Sequence, residues 1–489
     1  MSRRLIVPVF TSVVSLFVSI GLALVLPAVM LSRWGNAGYS LVIAVQGFAL
    51  YVSVADLGVQ AFVTRQLAVL VARGDMREAS ALAVTAFKTL AMLAMAGCAM
   101  VATGFVVFGG SVRGVVALRA GVSGHAMSLA FVAQTFSTGA GVALSGWSTS
   151  VESATGRYQR VQAVGLIRNC ASSLSFVAMA YAGASPTASL IAQALILTAF
   201  DATRIVFARQ LLPPSGTALE ALSPLRFLVA ARGSLFLAFG AATQNGLQPA
   251  VMAVLSENAA AAAIPARTLA NGARTVAMAV SNVLWVPLAA RLTRDAKPAD
   301  SFLMWKRASP VLSTLVLAGV ALLLVLAPLV VPLWLPRQSA TILSVLPLFA
   351  AEQAAFLAAF PSLMLLQALG KFGTIGAVTL TMAFASLVLT YWLVPRTGAA
   401  GFGMAGLVGT SCVYAPALLL SEYVHWRASG ARALSTILHR AGLAFAAVAA
   451  CLAHRRFPVL SVTILFGLTA AALAYSRPWQ LPSPTPPAA

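Results

Sequence analysis

The sequence predicts an all-α, polytopic membrane fold with about 14 transmembrane helices. Three observations carry this. Apolar residues make up 60% of the 489 positions, and the mean hydropathy is +0.91. Only 9% are charged, against about 25% in soluble domains. The apolar residues also gather into runs of about 20 or more, the length that crosses the hydrocarbon core as a helix. A water-soluble core has no room for so much apolar surface, so lipid must take its place.

The expected spans are 5–31, 39–62, 81–109, 124–147, 162–182, 187–207, 233–255, 262–290, 308–333, 342–369, 373–395, 399–425, 439–453 and 457–475. The first is too long for a signal-peptide apolar region and reads as a retained span. The thirteenth is short. Pro213-Pro214-Ser215-Gly216 marks a linker between two halves. The expected organisation is therefore a six-helix bundle over 1–210, a cytoplasmic linker over 211–232 and a second six-helix bundle over 233–426. An extra helix pair over 427–476 and a Pro-rich disordered tail over 477–489 follow.

The chain carries 32 Lys and Arg against 11 Asp and Glu, a net charge of +21. In a soluble protein this would suggest nucleic acid. Here the cations lie mostly in short loops between apolar runs, so they write topology, and no nucleic-acid partner is expected. With the N-terminus inside, 21 of the cations fall on the cytoplasmic side and 7 outside, which places both termini in the cytoplasm. Lys88, Arg168, Arg267 and Arg274 remain within spans. Arginine far exceeds lysine and alanine is abundant, a composition associated with GC-rich bacteria. Cys98, Cys170, Cys412 and Cys451 sit in apolar runs as packing residues. His125, His425, His439 and His454 are scattered. No metal site, nucleophile–base set or phosphate loop emerges, so no metal, cofactor or enzyme activity is expected.

The two halves repeat each other. Pro27-Ala28-Val29-Met30 with Asn36-Ala37 matches Pro249-Ala250-Val251-Met252 with Asn258-Ala259 at identical spacing. Ala154-x-Gly156-Arg157-Tyr158 matches Ala368-x-Gly370-Lys371-Phe372 at the next equivalent junction. An even number of spans per half makes the repeat parallel, an arrangement typical of alternating-access transporters.

Polar groups inside spans are few. Arg267, Asn271, Arg274 and Ser281 share one face of the eighth span at i, i+4, i+7 and i+14. Each arginine facing lipid costs about 2.5–3.5 kcal/mol, so the pair should face a polar cavity or a partner. Arg267, closer to the span end, has the alternative of snorkelling outward. Gln244, Asn245 and Gln248 add polar groups on the seventh span, as ligands or as glue between helices. Glu352, near mid-depth of the tenth span, should be protonated, ion-paired or bound to a cation, and Arg274 is a candidate partner. Asp56 aligns with Gln46, Ser53 and Gln60, with a structural or a coupling role. Asp201 with Arg204, and Glu422, read as interfacial pairs or anchors, and Lys88 and Arg168 as snorkelling cations.

Ala55-Asp56-Leu57-Gly58-Val59, Thr64-Arg65-Gln66-Leu67-Ala68 and Ala72-Arg73-Gly74-Asp75 resemble the second span and loop of polysaccharide-biosynthesis membrane proteins. Gly156-Arg157-Tyr158, Val286-Pro287-Leu288-Ala289-Ala290-Arg291 and Leu366-Gln367-Ala368-Leu369-Gly370-Lys371 fit the same family. It belongs to the multidrug/oligosaccharidyl-lipid/polysaccharide exporter superfamily, and the resemblance covers about residues 5–425. It implies two six-helix bundles around a central cavity and a lipid-linked oligosaccharide flipped from the cytoplasmic to the outer leaflet of the bacterial inner membrane. The product would serve O-antigen, capsule or exopolysaccharide assembly. Partners would be the lipid-linked sugar, membrane lipids, and a polymerase and glycosyltransferases of the same pathway. On that reading Arg267, Asn271, Arg274, Gln244, Asn245 and Gln248 bind substrate, the guanidinium groups taking its phosphate. Asp56 and Glu352 are the candidates for coupling to a proton or sodium gradient. The rivals are a multidrug or cation antiporter of the same superfamily and a membrane-embedded polysaccharide polymerase. Arginines in the cavity disfavour cationic cargo, and a polymerase needs an acidic catalytic site and a large outside loop.

Overall fold

The computed structural model describes residues 3–56, 59–212, 235–272, 274, 298–428 and 433–475. The described secondary structure is entirely helical. Ten described helices are long and apolar enough to cross a membrane, and Pro458–Ala472 is a shorter apolar one. The linker, the end of the eighth expected span with Ser281, and the tail lie outside the described residues.

The first expected pair of spans is one helical run, α1 (Arg3–Ala49), broken at Gly35. There φ is +67°, a left-handed turn that a side chain would strain. A 3₁₀ segment, Leu50–Asp56, leads into α2 (Val59–Arg73). The end of the second expected span is thus a separate helix. The first half continues with α3 (Met76–Phe108), α4 (Gly110–Arg119), α5 (Gly124–Ala154), α6 (Tyr158–Tyr181) and α7 (Pro186–Arg209). The second half holds α8 (235–255), α9 (257–272), α10 (Pro298–Trp334), α11 (Ser339–Ala368), α12 (Phe372–Thr397) and α13 (Ala399–Arg427). The short thirteenth expected span is a regular helix, α14 (Leu434–Ala453), packed along α11, and α15 (Pro458–Tyr475) packs along α10. The extra pair therefore belongs to the second half.

The two junctions matched in the sequence end in one type of cap, which the helix ends at Gly74, Gly121 and Gly183 share. Gly156 and Gly370 both take positive φ, 76° and 70°. At each, the glycine N–H donates to the carbonyl three residues back, at 3.1 and 3.0 Å. The next N–H donates to the carbonyl five back, at 2.8 and 2.9 Å. Both are the same glycine C-cap, forced by a helix that must stop and turn. Asn36 and Asn258, also equivalent, touch each other: Asn36 Nδ2 donates to Asn258 Oδ1 at 2.8 Å.

Three spans contain π-helical turns, at Gly141–Gly146, Thr243–Leu247 and Gly409–Tyr414. Such turns release one backbone register and gather at functional positions. The second lies in α8 beside Gln248, and the third in α13.

Candidate functional site

The expected polar face of α9 is present, and α9 begins at 257 rather than 262. Arg267 is therefore ten residues into the helix, about 15 Å from its end, too deep to snorkel. It is 8% exposed. Its Nη1 donates to the Gln244 carbonyl at 3.2 Å and to Gln248 Oε1 at 3.5 Å, and its Nη2 lies 3.9 Å from Glu352 Oε1. The ring of Phe402 covers the guanidinium at 5.2 Å. Gln248 is buried and its Nε2 donates to Thr390 Oγ1 at 3.0 Å, so it joins α8 to α12. Asn271 accepts from Gln353 Nε2 at 3.1 Å, tying α9 to α11.

Glu352 is 3% exposed, and the space for its carboxylate depends on Gly406: a Cβ there would stand 2.6 Å from Oε2. That oxygen is buried without a hydrogen-bond partner. The structure corrects the expected partner. Glu352 pairs with Arg267, because a contact at i−7 on the same helix face lies a full two turns away from Arg274. Arg274 instead places its guanidinium 4.0 Å over the ring of Phe356, which stacks in turn on Tyr414 at 5.8 Å. It is half-buried, and no carboxylate stands within ion-pair distance of it among the described residues. The described cluster thus holds two guanidinium groups and one carboxylate, with Arg267 at ion-pair distance from Glu352 and Arg274 farther off but still in its field. Gln244 enters through its backbone carbonyl. Asn245 is exposed and does not join the group.

Asp56 is placed as a helix cap. Its Oδ1 accepts the Gln60 backbone N–H at 3.0 Å and so starts α2. Asp56→Ala is expected to cost about 1 kcal/mol, the usual value of a cap, and Asp56→Asn to keep most of it. Thermal unfolding of the purified variants checks this. Loss of export by the stable Asp56→Asn variant would instead speak for coupling.

The first half has its own polar interior, which the sequence reading assigned differently. Asp201 does not pair with Arg204. Arg168 Nε and Nη2 hold its carboxylate at 2.8 and 2.9 Å, so Arg168 does not snorkel. Arg204 pairs with Glu152 at 2.6 Å, deep inside the bundle. Glu152 was overlooked because α5 runs to Ala154, past the apolar run that marks it in the sequence. Farther along, Gln193 Oε1 accepts from Gln46 and Gln134 at 2.9 and 3.0 Å, and its Nε2 donates to Ser172 at 2.8 Å. Glu422, expected as an interfacial anchor, is buried and bound to Arg440 of α14.

The halves meet along α1 and α8. Gly47 and Gly246 cross so closely that a Cβ on Gly47 would lie 2.5 Å from the Gly246 carbonyl oxygen. Tyr51 and Thr243 share a hydrogen bond deeper in. Toward the Asn36–Asn258 end, Gln338 Nε2 donates to Asn36 Oδ1 at 3.3 Å and Arg119 Nη1 to the Val254 carbonyl at 3.0 Å. These contacts close the two halves against each other at the face opposite the Gly156 and Gly370 turns. A cavity of about 600 Å³ lies there, bounded by Trp34, Asn36, Glu257, Asn258, Gln338 and Thr341. Among the described residues no group of three or more His, Cys, Asp or Glu side chains is placed to hold a metal ion.

No protein family and no curated protein matches the chain in sequence. Solved structures match it in shape. A lipid II flippase, MurJ, in an inward closed conformation superposes with a TM-score of 0.61 at 9% identity, over 95% of this chain and 98% of that one. An inward-facing multidrug resistance MATE transporter of the MOP superfamily gives 0.60 at 12%, over 86% and 99%. A Vibrio cholerae MATE transporter gives 0.56 at 16%, over 87% and 99%. The chain shares the fold of these solved transporters. At these identities the likeness is one of fold, and what the chain does has to be argued from its site.

Proposed function

We propose that the chain is a transporter that flips a lipid-linked oligosaccharide from the cytoplasmic to the outer leaflet by alternating access. The observation that carries this is Arg274: a guanidinium deep in the second half, stacked on Phe356, beside an Arg267–Glu352 pair that is already neutral. Two guanidinium groups sharing one carboxylate leave the cluster net positive in a low-dielectric interior, which attracts an anion, and the phosphate or pyrophosphate of a lipid-linked sugar offers paired acceptors for the Arg274 fork of donors. The same charge repels cationic cargo, which weighs against a cation antiporter on this fold. Asn271, only partly buried, flanks the site with an amide suited to sugar hydroxyls, while Gln248 is committed to Arg267 and Thr390. The membrane is the bacterial inner membrane, with the basic loops and both termini cytoplasmic. A polymerase and glycosyltransferases would act on the same sugar before and after it crosses. Glu352 remains the candidate for coupling to a proton or sodium gradient, because one of its buried oxygens has no partner.

The test is complementation of a deletion strain, with lipid-linked sugar assayed in each leaflet. Arg274→Ala should leave the sugar in the cytoplasmic leaflet at the level of the deletion while the protein still inserts, and Arg274→Lys should recover part of the export. Wild-type export by Arg274→Ala would remove the site from the pathway. Unchanged sugar export by the deletion strain, with altered drug sensitivity, would replace the flippase with the antiporter.

A further inference from the structure

The cavity at the Asn36–Asn258 end has no part in the phosphate site. Its wall is unusual for the end of an apolar bundle, because it is dominated by planar polar groups. Asn36, Asn258 and Gln338 supply three amides, Thr341 a hydroxyl, Glu257 a carboxylate and Arg337 a guanidinium that offsets its charge, with the indole of Trp34 at one side. The Asn36 and Asn258 amides bond each other across the junction of the halves, and Asn36 Oδ1 also accepts from Gln338 Nε2 at 3.3 Å. Asn258 is exposed, and Glu257 Oε2 is a buried acceptor with no donor. The volume, about 600 Å³, lies within the range of small-molecule sites. Amides and carboxylates placed around an open cavity match vicinal hydroxyls, since each planar group can donate to one oxygen and accept from the next.

We propose that this cavity is a binding site for neutral sugar units, at the outer face, and that a bound sugar exchanges with the Asn36–Asn258 bond. The exchange is balanced. The bond between the asparagines is exposed to water, so replacing it with amide–hydroxyl bonds loses no hydrogen bonding, and the unmatched Glu257 oxygen gains a donor. Because the two asparagines occupy equivalent positions of the repeat, the bond lies where the halves part, and sugar on the outer side favours their parting. The ligand class rests on the flippase reading; the binding itself does not depend on transport.

The experiment uses the full chain with its four native cysteines replaced and Thr341→Cys, an exposed position on the cavity wall, as the reporter. Labelling by a membrane-impermeant maleimide is timed with and without short soluble oligosaccharides of neutral hexoses. Occupancy should slow labelling by a factor of 1 + [L]/Kd, about tenfold at nine times Kd. Asn258→Ala with Gln338→Ala should abolish the protection. Glu257→Gln, which keeps the shape and should not disturb folding, should weaken it. Labelling that no sugar slows, or protection that survives all three substitutions, overturns the proposal. Protection alongside wild-type export by Arg274→Ala would fault the flippase reading and leave this site standing. Absence of protection alongside loss of export would fault this site alone.

Discussion

Glu422→Ala is expected to destabilise the second half by about 3–5 kcal/mol, the cost of stranding a buried charge. Glu422 is 1% exposed and gathers three donors from three other helices: Trp305 Nε1 at 2.9 Å, Ser362 Oγ and Arg440 Nη2. Arg440 has no other partner for its Nε and Nη1. Removing the carboxylate therefore leaves a whole guanidinium in an apolar interior, and α14 loses its polar tie to α13. The double substitution Glu422→Ala, Arg440→Ala should recover a large part of the loss, because no charge is then left unpaired. The measurement is the temperature at which the purified protein loses its monodisperse state. A single variant as stable as the wild type would show that the pair is not buried as described.

Gly47→Leu is expected to open the junction of the halves. Even a single Cβ at Gly47 would press into the Gly246 carbonyl at 2.5 Å and into Ala250 Cβ at 2.8 Å. Backbone cannot yield as a side-chain tip does, so the helices must separate. Overpacking of this kind costs about 1–3 kcal/mol, which shifts an open–closed equilibrium by about five- to 150-fold. Ala253, buried near the end of α8, reports on it once changed to cysteine. Its labelling by an impermeant thiol reagent should accelerate at least about fivefold in the Gly47→Leu background, with export lost. Unchanged labelling would mean that the crossing tolerates separation without opening. The same logic makes Gly246→Leu an independent repeat of the test from the other half.

Much of the fold was legible in the residues because the membrane imposes one rule. Backbone polar groups have no water partner in hydrocarbon, so a span must be a helix and must be apolar for its full length. The helix ends at Gly156 and Gly370 were legible because a left-handed turn after a helix has few alternatives to glycine. The polar face of α9 was legible because arginines inside a span are expensive and their spacing fixes their direction. Boundaries suffered where the apolar run and the helix differ. The extension of α5 hid Glu152, and the early start of α9 hid the depth of Arg267.

Composition and spacing alone determined that this chain is a bundle of apolar, membrane-length helices, with a few charges that have to be sheltered inside. Only the tertiary structure decided which charge shelters which: Glu352 with Arg267, Glu152 with Arg204, Asp201 with Arg168, Glu422 with Arg440. The physical reason is that burying a charge demands a partner, but any opposite charge at the same depth meets the demand. The helix packing chooses among them, and among the described arginines that lie inside spans that choice leaves Arg274 with no carboxylate at ion-pair distance.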